Sequence, residues 1–414
     1  MRVLISAYAC EPGKGSEPAV GWNWVQQISR WHEVWVLTRK NNRPHIAGAL
    51  AATPLTTVHW VYYDLPGWAH VWKKGQRGVH AYYYLWQLGA YFLARKLHRQ
   101  VHFDLVHHVT FVNYWMPSLL ALLPAPFIWG PVGGGESAPR AFRHALSLRG
   151  KIHEVVRDLA RNLGQLNPCL KMTARRSRVG IATTEETAQR MRKLGCQNVQ
   201  VFSQVGLQTA DIARLAQFPV RQGLPFRFVS VGNLLHWKGF EFALRAFARF
   251  QSYYPASQYW IVGAGPERKR LERLAGQLGV SHNVEFCGAV SREQVWEKLA
   301  ESDALLHPSL HDSGGWVCLE AMAAGHPVIC FDLGGPALQV TPETGFKLAA
   351  ISPEQVVEDL TVAMLHLAQN SRIRERMGEA ARSRVEEQFN WTRKGEVMHR
   401  LYQEVAASLG GSAC

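Results

Sequence analysis

Short apolar runs alternate with helix-length segments along the whole chain, in two successive series. Residues 3–7, 34–37, 57–62, 105–109 and 127–129 read as strands of the first series, with a Trp-bearing helix near 19–29. Residues 228–231, 259–262, 284–287, 304–307 and 328–331 read as strands of the second, separated by helices at 240–252, 267–278 and 294–301. Continuous apolar strands separated by helices predict parallel sheets covered on both faces, hence an α/β chain with a doubly wound sheet in each half. A Pro/Gly-rich passage at 218–226 marks the change of domain, and 353–408 reads as helix with a short break near 389–391. The expected domains are 1–217, joined by about 392–414, and 224–391.

Length agrees, since 414 residues exceed one ordinary core. With 47% apolar and 19% charged residues, disorder, collagen and coiled coil are excluded. No Asp, Glu, Lys or Arg occurs within 105–135, yet Pro117, Pro124, Pro126 and Pro131 forbid one helix through it, so it reads as core strands rather than a membrane span. Seven scattered cysteines without a C-x-x-C pair suit reduced thiols and a cytoplasmic setting better than disulfides or zinc. The first residues enter a strand pattern rather than a signal peptide. The net charge of +14 calls for an anionic partner. No nucleic-acid motif accompanies it, and nucleic acid is not expected.

Two glycine strings test a dinucleotide reading and fail it. In Gly263-Ala-Gly265 the third glycine position is Arg268, and in Gly13-Lys-Gly15 it is Pro18. What remains is either a tight turn needing positive φ or a turn presenting backbone N–H groups to a phosphate.

The second half carries a series of segments in consistent order. Gly232-Asn233 and Lys238-Gly239 follow one strand, Gly263-Ala-Gly265-Pro-Glu267 the next, and Gly288-Ala-Val290 the third. His311-Asp312-Ser-Gly314-Gly315-Trp316-Val317 then leads to Glu320-Ala-Met-Ala-Ala-Gly325-His-Pro327-Val328. This order resembles the family-four retaining glycosyltransferases (group 1), with Asp312 and Glu320 at the positions of the family's paired acids. The resemblance implies a GT-B fold: two Rossmann-like domains facing each other across a cleft, the final helices crossing back to the first. It implies transfer of a sugar from a nucleoside-diphosphate donor, UDP foremost, with retention and without a metal or other cofactor. By position, Glu320 would bind the ribose, Asp312 the transferred sugar, and Lys238 the diphosphate. The amides of Gly315, Trp316 and Val317 would hold the distal phosphate, Val290 would meet the base, and Asn233 and Gly314 stand where the family has Arg and Phe. At the other wall of the cleft, residues 13–17 resemble the family's Gly-Gly-x-Glu loop, which would place Gly15 on the donor and Glu17 on the acceptor side. Gly133, Gly134 and Glu136 occupy the stretch where many members carry a His. The acceptor implied is a lipid-linked or envelope-polysaccharide precursor at the inner membrane face. A sugar-nucleotide epimerase or hydrolase, and a non-catalytic sugar-nucleotide binder, are the rival functions.

Three features stay open. His107, at the end of a strand, is either a catalytic group lining the cleft or a structural histidine. Segment 140–178 holds ten Lys/Arg against Glu154 and Asp158. Within it Ile152, Val155, Val156, Leu159 and Leu163 fall at helical spacing, either lying on an anionic membrane surface or packing on the core. Trp68, Trp72, Tyr82, Tyr83, Tyr84 and Trp86, with Lys73, Lys74 and Arg77, suit sugar stacking, an interfacial belt or a core helix. The oligomeric state is not legible.

Overall fold

The computed structural model describes residues 1–70, 78–219 and 223–410, so Trp72, Lys73, Lys74, Arg77 and part of the 218–226 passage lie outside the described residues. The chain divides into two compact units. Unit 1 is Met1–Gly135, Asp158–Gln204 and Trp391–Cys414; unit 2 is Glu136–Arg157 and Val205–Asn390. The division therefore falls before the Pro/Gly-rich passage, and a short segment ahead of it already belongs to unit 2.

Unit 1 is built on β1 (Arg2–Ala7), β2 (Glu33–Thr38), β3 (Val58–Tyr62), β4 (Leu105–Thr110), β5 (Phe127–Val132), β6 (Ser177–Ala182) and β7 (Val199–Val201). They form one parallel sheet in the order β3-β2-β1-β4-β5-β6-β7. Every residue of β4 and β5 is buried, which accounts for the charge-free stretch as core. Among the described residues no helix is long and apolar enough to cross a membrane. The helices are α1 (Glu17–Ile28), α2 (Arg43–Ala52), α3 (Val79–Val101), α4 (Leu148–Gln165), α5 (Pro168–Arg176) and α6 (Glu185–Lys193), with α4 crossing the boundary between the units. On α3, Tyr82, Tyr83 and Trp86 are fully buried, so the aromatic stretch is mainly core, while Trp68 before it is exposed.

Unit 2 contains α7 (Thr209–Ala216), β8 (Arg227–Val231), α8 (Phe240–Gln251), β9 (Gln258–Val262), α9 (Arg268–Gln277), β10 (Val284–Gly288) and α10 (Arg292–Ala300). These are followed by β11 (Ala304–His307), α11 (Trp316–Ala323), β12 (Val328–Phe331), α12 (Gly334–Gln339), β13 (Gly345–Leu348), α13 (Pro353–Gln369) and α14 (Ser371–Arg384). The sheet is parallel in the order β10-β9-β8-β11-β12-β13. Glu136–Arg157 joins this unit because Phe142 is buried in its core, edge-on to Phe242 with ring centroids 5.3 Å apart.

Helix α4 overturns the core-packing reading of its apolar residues: Ile152, Val155, Val156, Leu159 and Leu163 are exposed, while Glu154 and Arg161 are buried.

The last helix, α15 (Trp391–Gly410), returns to unit 1. Trp391 is fully buried and meets Trp24 of α1 edge-on at 5.3 Å, and Lys394 Nζ donates to the Ser203 carbonyl at 2.6 Å. Truncating so large a buried ring removes transfer energy and leaves a void. Trp391→Ala is therefore expected to destabilise unit 1 by about 3–5 kcal/mol, read as a lowered urea midpoint.

Candidate functional site

In open parallel sheets ligands bind beyond the carboxyl ends of the strands, and in unit 2 four loops converge there. After β8 the chain turns at Gly232, and after β9 at Gly263, where an added Cβ would lie 2.0 Å from the Gly232 carbonyl oxygen. Gly265 is pressed equally hard on Leu234, whose N–H donates to the Ala264 carbonyl at 2.9 Å. The 263–265 glycines thus serve close backbone packing. Gly288 also bonds this turn, its carbonyl accepting from Gly263 N–H at 2.7 Å, and Val290 follows, half-buried. Asn233 is exposed.

Lys238 ends a short 3-10 turn, and Gly239 after it adopts φ 66°, with its Cα against the Pro308 carbonyl. That turn aims Lys238 Nζ at Asp312 Oδ2, where the two form a short ion pair. Asp312 Oδ1 accepts from the N–H groups of Gly314 at 3.0 Å and Gly315 at 3.1 Å. His307 Nε2 stands 3.3 Å from Oδ2. Burial works to raise the Asp312 pKa, but the Lys238 charge and His307 outweigh it and hold the carboxyl well below its ordinary range. The structure thus commits the Gly315 amide to Asp312 rather than leaving it for a phosphate. Trp316 and Val317, the first residues of α11, are where helix geometry leaves N–H groups without intrahelical acceptors. Gly314 itself is held through its carbonyl, which accepts from Gln339 Nε2 at 2.5 Å.

One turn along the same face of α11 as Trp316 stands Glu320. Its Oε1 accepts from Arg292 Nε at 3.0 Å and Trp296 Nε1 at 3.1 Å. Burial raises its pKa against the opposing pull of Arg292. Arg292 also reaches Asp211 at 3.0 Å. The sequence reading did not find Arg292 or Trp296; the Ser291/Gln294 capping box that starts α10 marks the helix but not the contact.

Beside Lys238 and Asp312, His236 and His311 each donate from Nε2 to Glu154 Oε1 at 3.1 Å. Burial tends to raise the Glu154 pKa, but the two imidazoles and Arg157 override it and hold the carboxyl far below normal. Among the described residues, His153, Glu154 and His236 have ligand atoms within 4.8 Å of one another, the spacing a metal ion needs. The ring N–H groups already satisfy Oε1, and Trp237 stacks on His311 at 5.1 Å and on His153 at 5.4 Å.

In unit 1, a hollow of about 400 Å³ opens beyond β1 between residues 8–18 and 39–42, and its wall includes Gly15 and Glu17. Glu17 starts α1 and accepts from Val112 N–H at 3.0 Å. Burial lifts its carboxyl from 4.5 to about 7 despite that bond. Tyr8 and Arg39 also line the hollow. Arg39 is fixed by Asp64, Nε to Oδ1 at 3.0 Å and Nη2 to Oδ2 at 3.3 Å, and lies over the Tyr8 and Tyr82 rings. Neither Tyr8 nor Arg39 stood out in the sequence, because only the fold brings them beside Glu17.

His107 is corrected to a packing role. Its ring is fully buried, Nδ1 bonded to the Tyr402 hydroxyl at 2.6 Å and Nε2 to the Gly130 carbonyl at 2.5 Å, and burial lowers its pKa to about 3. Gly133 exchanges backbone bonds with Val112 and Tyr114, and an added Cβ at Gly134 would meet the Trp115 ring at 2.5 Å. Both glycines are thus explained by packing. Glu136 is buried within unit 2, its carbonyl accepting from Arg157 Nη2 at 2.7 Å.

Residues 214–384 match the family described as Glycosyl transferases group 1. The D-inositol 3-phosphate glycosyltransferase of Corynebacterium jeikeium is 32% identical over 193 residues, covering 44% of this chain and 45% of that protein. The putative colanic acid biosynthesis glycosyltransferase WcaL of Salmonella typhimurium is 26% identical over 302 residues, 67% of this chain and 71% of that protein. The chain thus spans less than half the length of the first of these relatives. Among solved structures, sucrose-phosphate synthase from Thermosynechococcus elongatus aligns at TM-score 0.67 and 19% identity over 98% of this chain and 99% of its own. Anabaena Alr3699/HepE in complex with UDP and glucose aligns at 0.60 and 16% over 99% of both chains. At these identities the likeness is one of fold, the two-domain α/β GT-B architecture.

The raised Glu17 pKa has a defined sign. The folded protein holds this proton up to about pH 7 while the unfolded chain releases it near 4.5. Stability should therefore fall as pH rises through that window. Glu17→Gln should remove this contribution, so that the urea midpoint at pH 8 rises relative to that at pH 5, compared with the wild type. An unchanged pH dependence would contradict the assignment.

Proposed function

We propose that this group 1 glycosyltransferase, whose family domain occupies residues 214–384, moves a sugar from a nucleoside-diphosphate donor to an acceptor hydroxyl. The observation that carries the reading is the convergence of Lys238, the start of α11 and Glu320 beyond the carboxyl ends of one parallel sheet. A cation and the amides at a helix start suit a diphosphate. A carboxylate farther along the same helix face suits the two hydroxyls of a ribose.

In this reading Lys238 passes from Asp312 to the donor's phosphates. The bond between the anomeric carbon and the leaving phosphate oxygen breaks, and the acceptor oxygen bonds that carbon from the same face. The acceptor's proton goes to the departing phosphate, so configuration is retained and no protein nucleophile is used. Catalysis then consists of positioning and of stabilising the charge that builds on the diphosphate. Asp312 keeps the 312–315 loop in place through the Gly314 and Gly315 amides and holds Lys238 until the donor arrives. No metal is assigned a role, since Lys238 and the α11 amides supply the positive field. UDP is the nucleotide to test first, because Anabaena HepE binds UDP in a complex of the same fold. The colanic acid in the name of WcaL supports an envelope-polysaccharide or lipid-linked precursor as acceptor. We assign the acceptor to the hollow of unit 1 whose wall includes Tyr8, Glu17 and Arg39.

A thermal-shift series with UDP, GDP, ADP, dTDP and CMP and their sugar conjugates tests the donor. A ligand at about 100 times its Kd adds roughly 2.7 kcal/mol, readily seen as a raised Tm. One base should raise the Tm, and Glu320→Ala should abolish that rise; no rise with any nucleotide would defeat the reading. Once an acceptor is in hand, Lys238→Ala should lower kcat by about 10²–10³, the loss typical of one well-aimed group at a charge-developing site.

A further inference from the structure

We propose that α4, with Leu166 just beyond it, is an interfacial helix that lies on an anionic lipid membrane with its apolar stripe down. A helix of a globular protein turns its apolar side to the core and its charges to water. Helix α4 does the reverse. Ile152, Val155, Val156, Leu159 and Leu163 are each 58–59% exposed, and Leu148 and Leu166 extend the stripe at 75% and 69%.

The opposite face carries the packing. In unit 2, Glu154 is buried against His236 and His311, and a Cβ added at Gly150 would lie 2.8 Å from the His236 ring. In unit 1, Arg161 is buried and bonded to Asp158 at 2.8 Å, and a Cβ added at Gly164 would lie 3.1 Å from Trp115. Two glycines and bonded charges make the inward seam, so the leucine and valine side has been left outward.

Charge then selects lipid over a protein partner. Arg149 and Lys151, both exposed, border the stripe on its two sides at 100° per residue. Arg140, Lys171, Arg175, Arg176 and Arg178 are exposed in the flanking segments. The two acids of 140–178 do not counter them: Glu154 is buried and Asp158 is paired with Arg161. An apolar stripe bordered by cations is complementary to an anionic headgroup layer over acyl chains. The inference rests on the transferase reading only for its purpose, which is to bring the enzyme to a lipid-linked acceptor.

Co-sedimentation of the full chain with vesicles of 30% phosphatidylglycerol in phosphatidylcholine tests it, with no donor or acceptor present. The wild type should bind these vesicles at least tenfold more tightly than pure phosphatidylcholine, and less tightly as salt rises. Val155→Glu/Leu159→Glu should weaken binding at least tenfold, and the milder Val155→Ser/Leu159→Ser should do so in part. Each double variant should keep the wild-type far-UV spectrum and nucleotide-induced Tm rise, because these side chains are mostly exposed. Failure of the wild type to sediment, or equal binding by folded variants, would overturn the proposal. So would concentration-dependent self-association of the wild type, lost in the variants, without vesicle binding: the stripe would then be an interface between copies. None of these results bears on the donor site, whose nucleotide-induced Tm rise is read separately.

Discussion

Backbone touching backbone is the constraint on which unit 2 depends. The loops that leave β8, β9 and β11 and the turn that opens α12 approach so closely that side chains are excluded at the contacts. Gly263 sits on the Gly232 carbonyl, Gly239 on that of Pro308, and Gly334 on that of Asp312. Each contact fixes one loop against the next, and together they hold Lys238, Asp312 and the first turn of α11 in register. Substitution at any of the three requires backbone to move, so the geometry of the ion pair is set by residues that carry no functional group.

Burial makes the same cluster exacting electrostatically. Asp312, Glu154 and Glu320 are each removed from water, and each is compensated: by Lys238 and two amides, by two imidazoles, and by Arg292 with an indole N–H. A buried charge is tolerable only when bonded in this way. The outcome differs with the partner. Two ring donors and an arginine drive Glu154 down, whereas a single half-exposed arginine leaves Glu320 raised by its burial.

The architecture was legible because parallel strands covered on both faces are written as continuous apolar runs, as in β5 and β12. Strands β6, β7 and β13 were not. β6 (Ser177–Ala182) follows a basic helix whose charges mask it, β7 has three residues, and β13 (Gly345–Leu348) includes a lysine on an edge. At the site, residues held within one contiguous segment, such as Asp312 to Glu320, could be read from order alone. Partners supplied from far along the chain could not. Arg292 for Glu320, Glu154 for His236 and His311, and Arg39 for the Glu17 hollow are joined only by the fold. Periodicity revealed the α4 stripe, but which side of that helix faces outward depended on Gly150, Gly164 and Glu154.

Unit 1 is closed by a helix that follows unit 2 in the chain. Trp391 sits against Trp24, and Tyr402 bonds His107 at the centre of the first sheet. During synthesis, β1 and α1 emerge before most of unit 2, yet their covering helix leaves the ribosome only after all of unit 2 has been made. The second-made unit therefore has every one of its strands in hand before the first-made unit can be completed. Nascent unit 1 must wait with an uncovered aromatic surface around Trp24, a period in which a chaperone or the ribosome itself has something to shield.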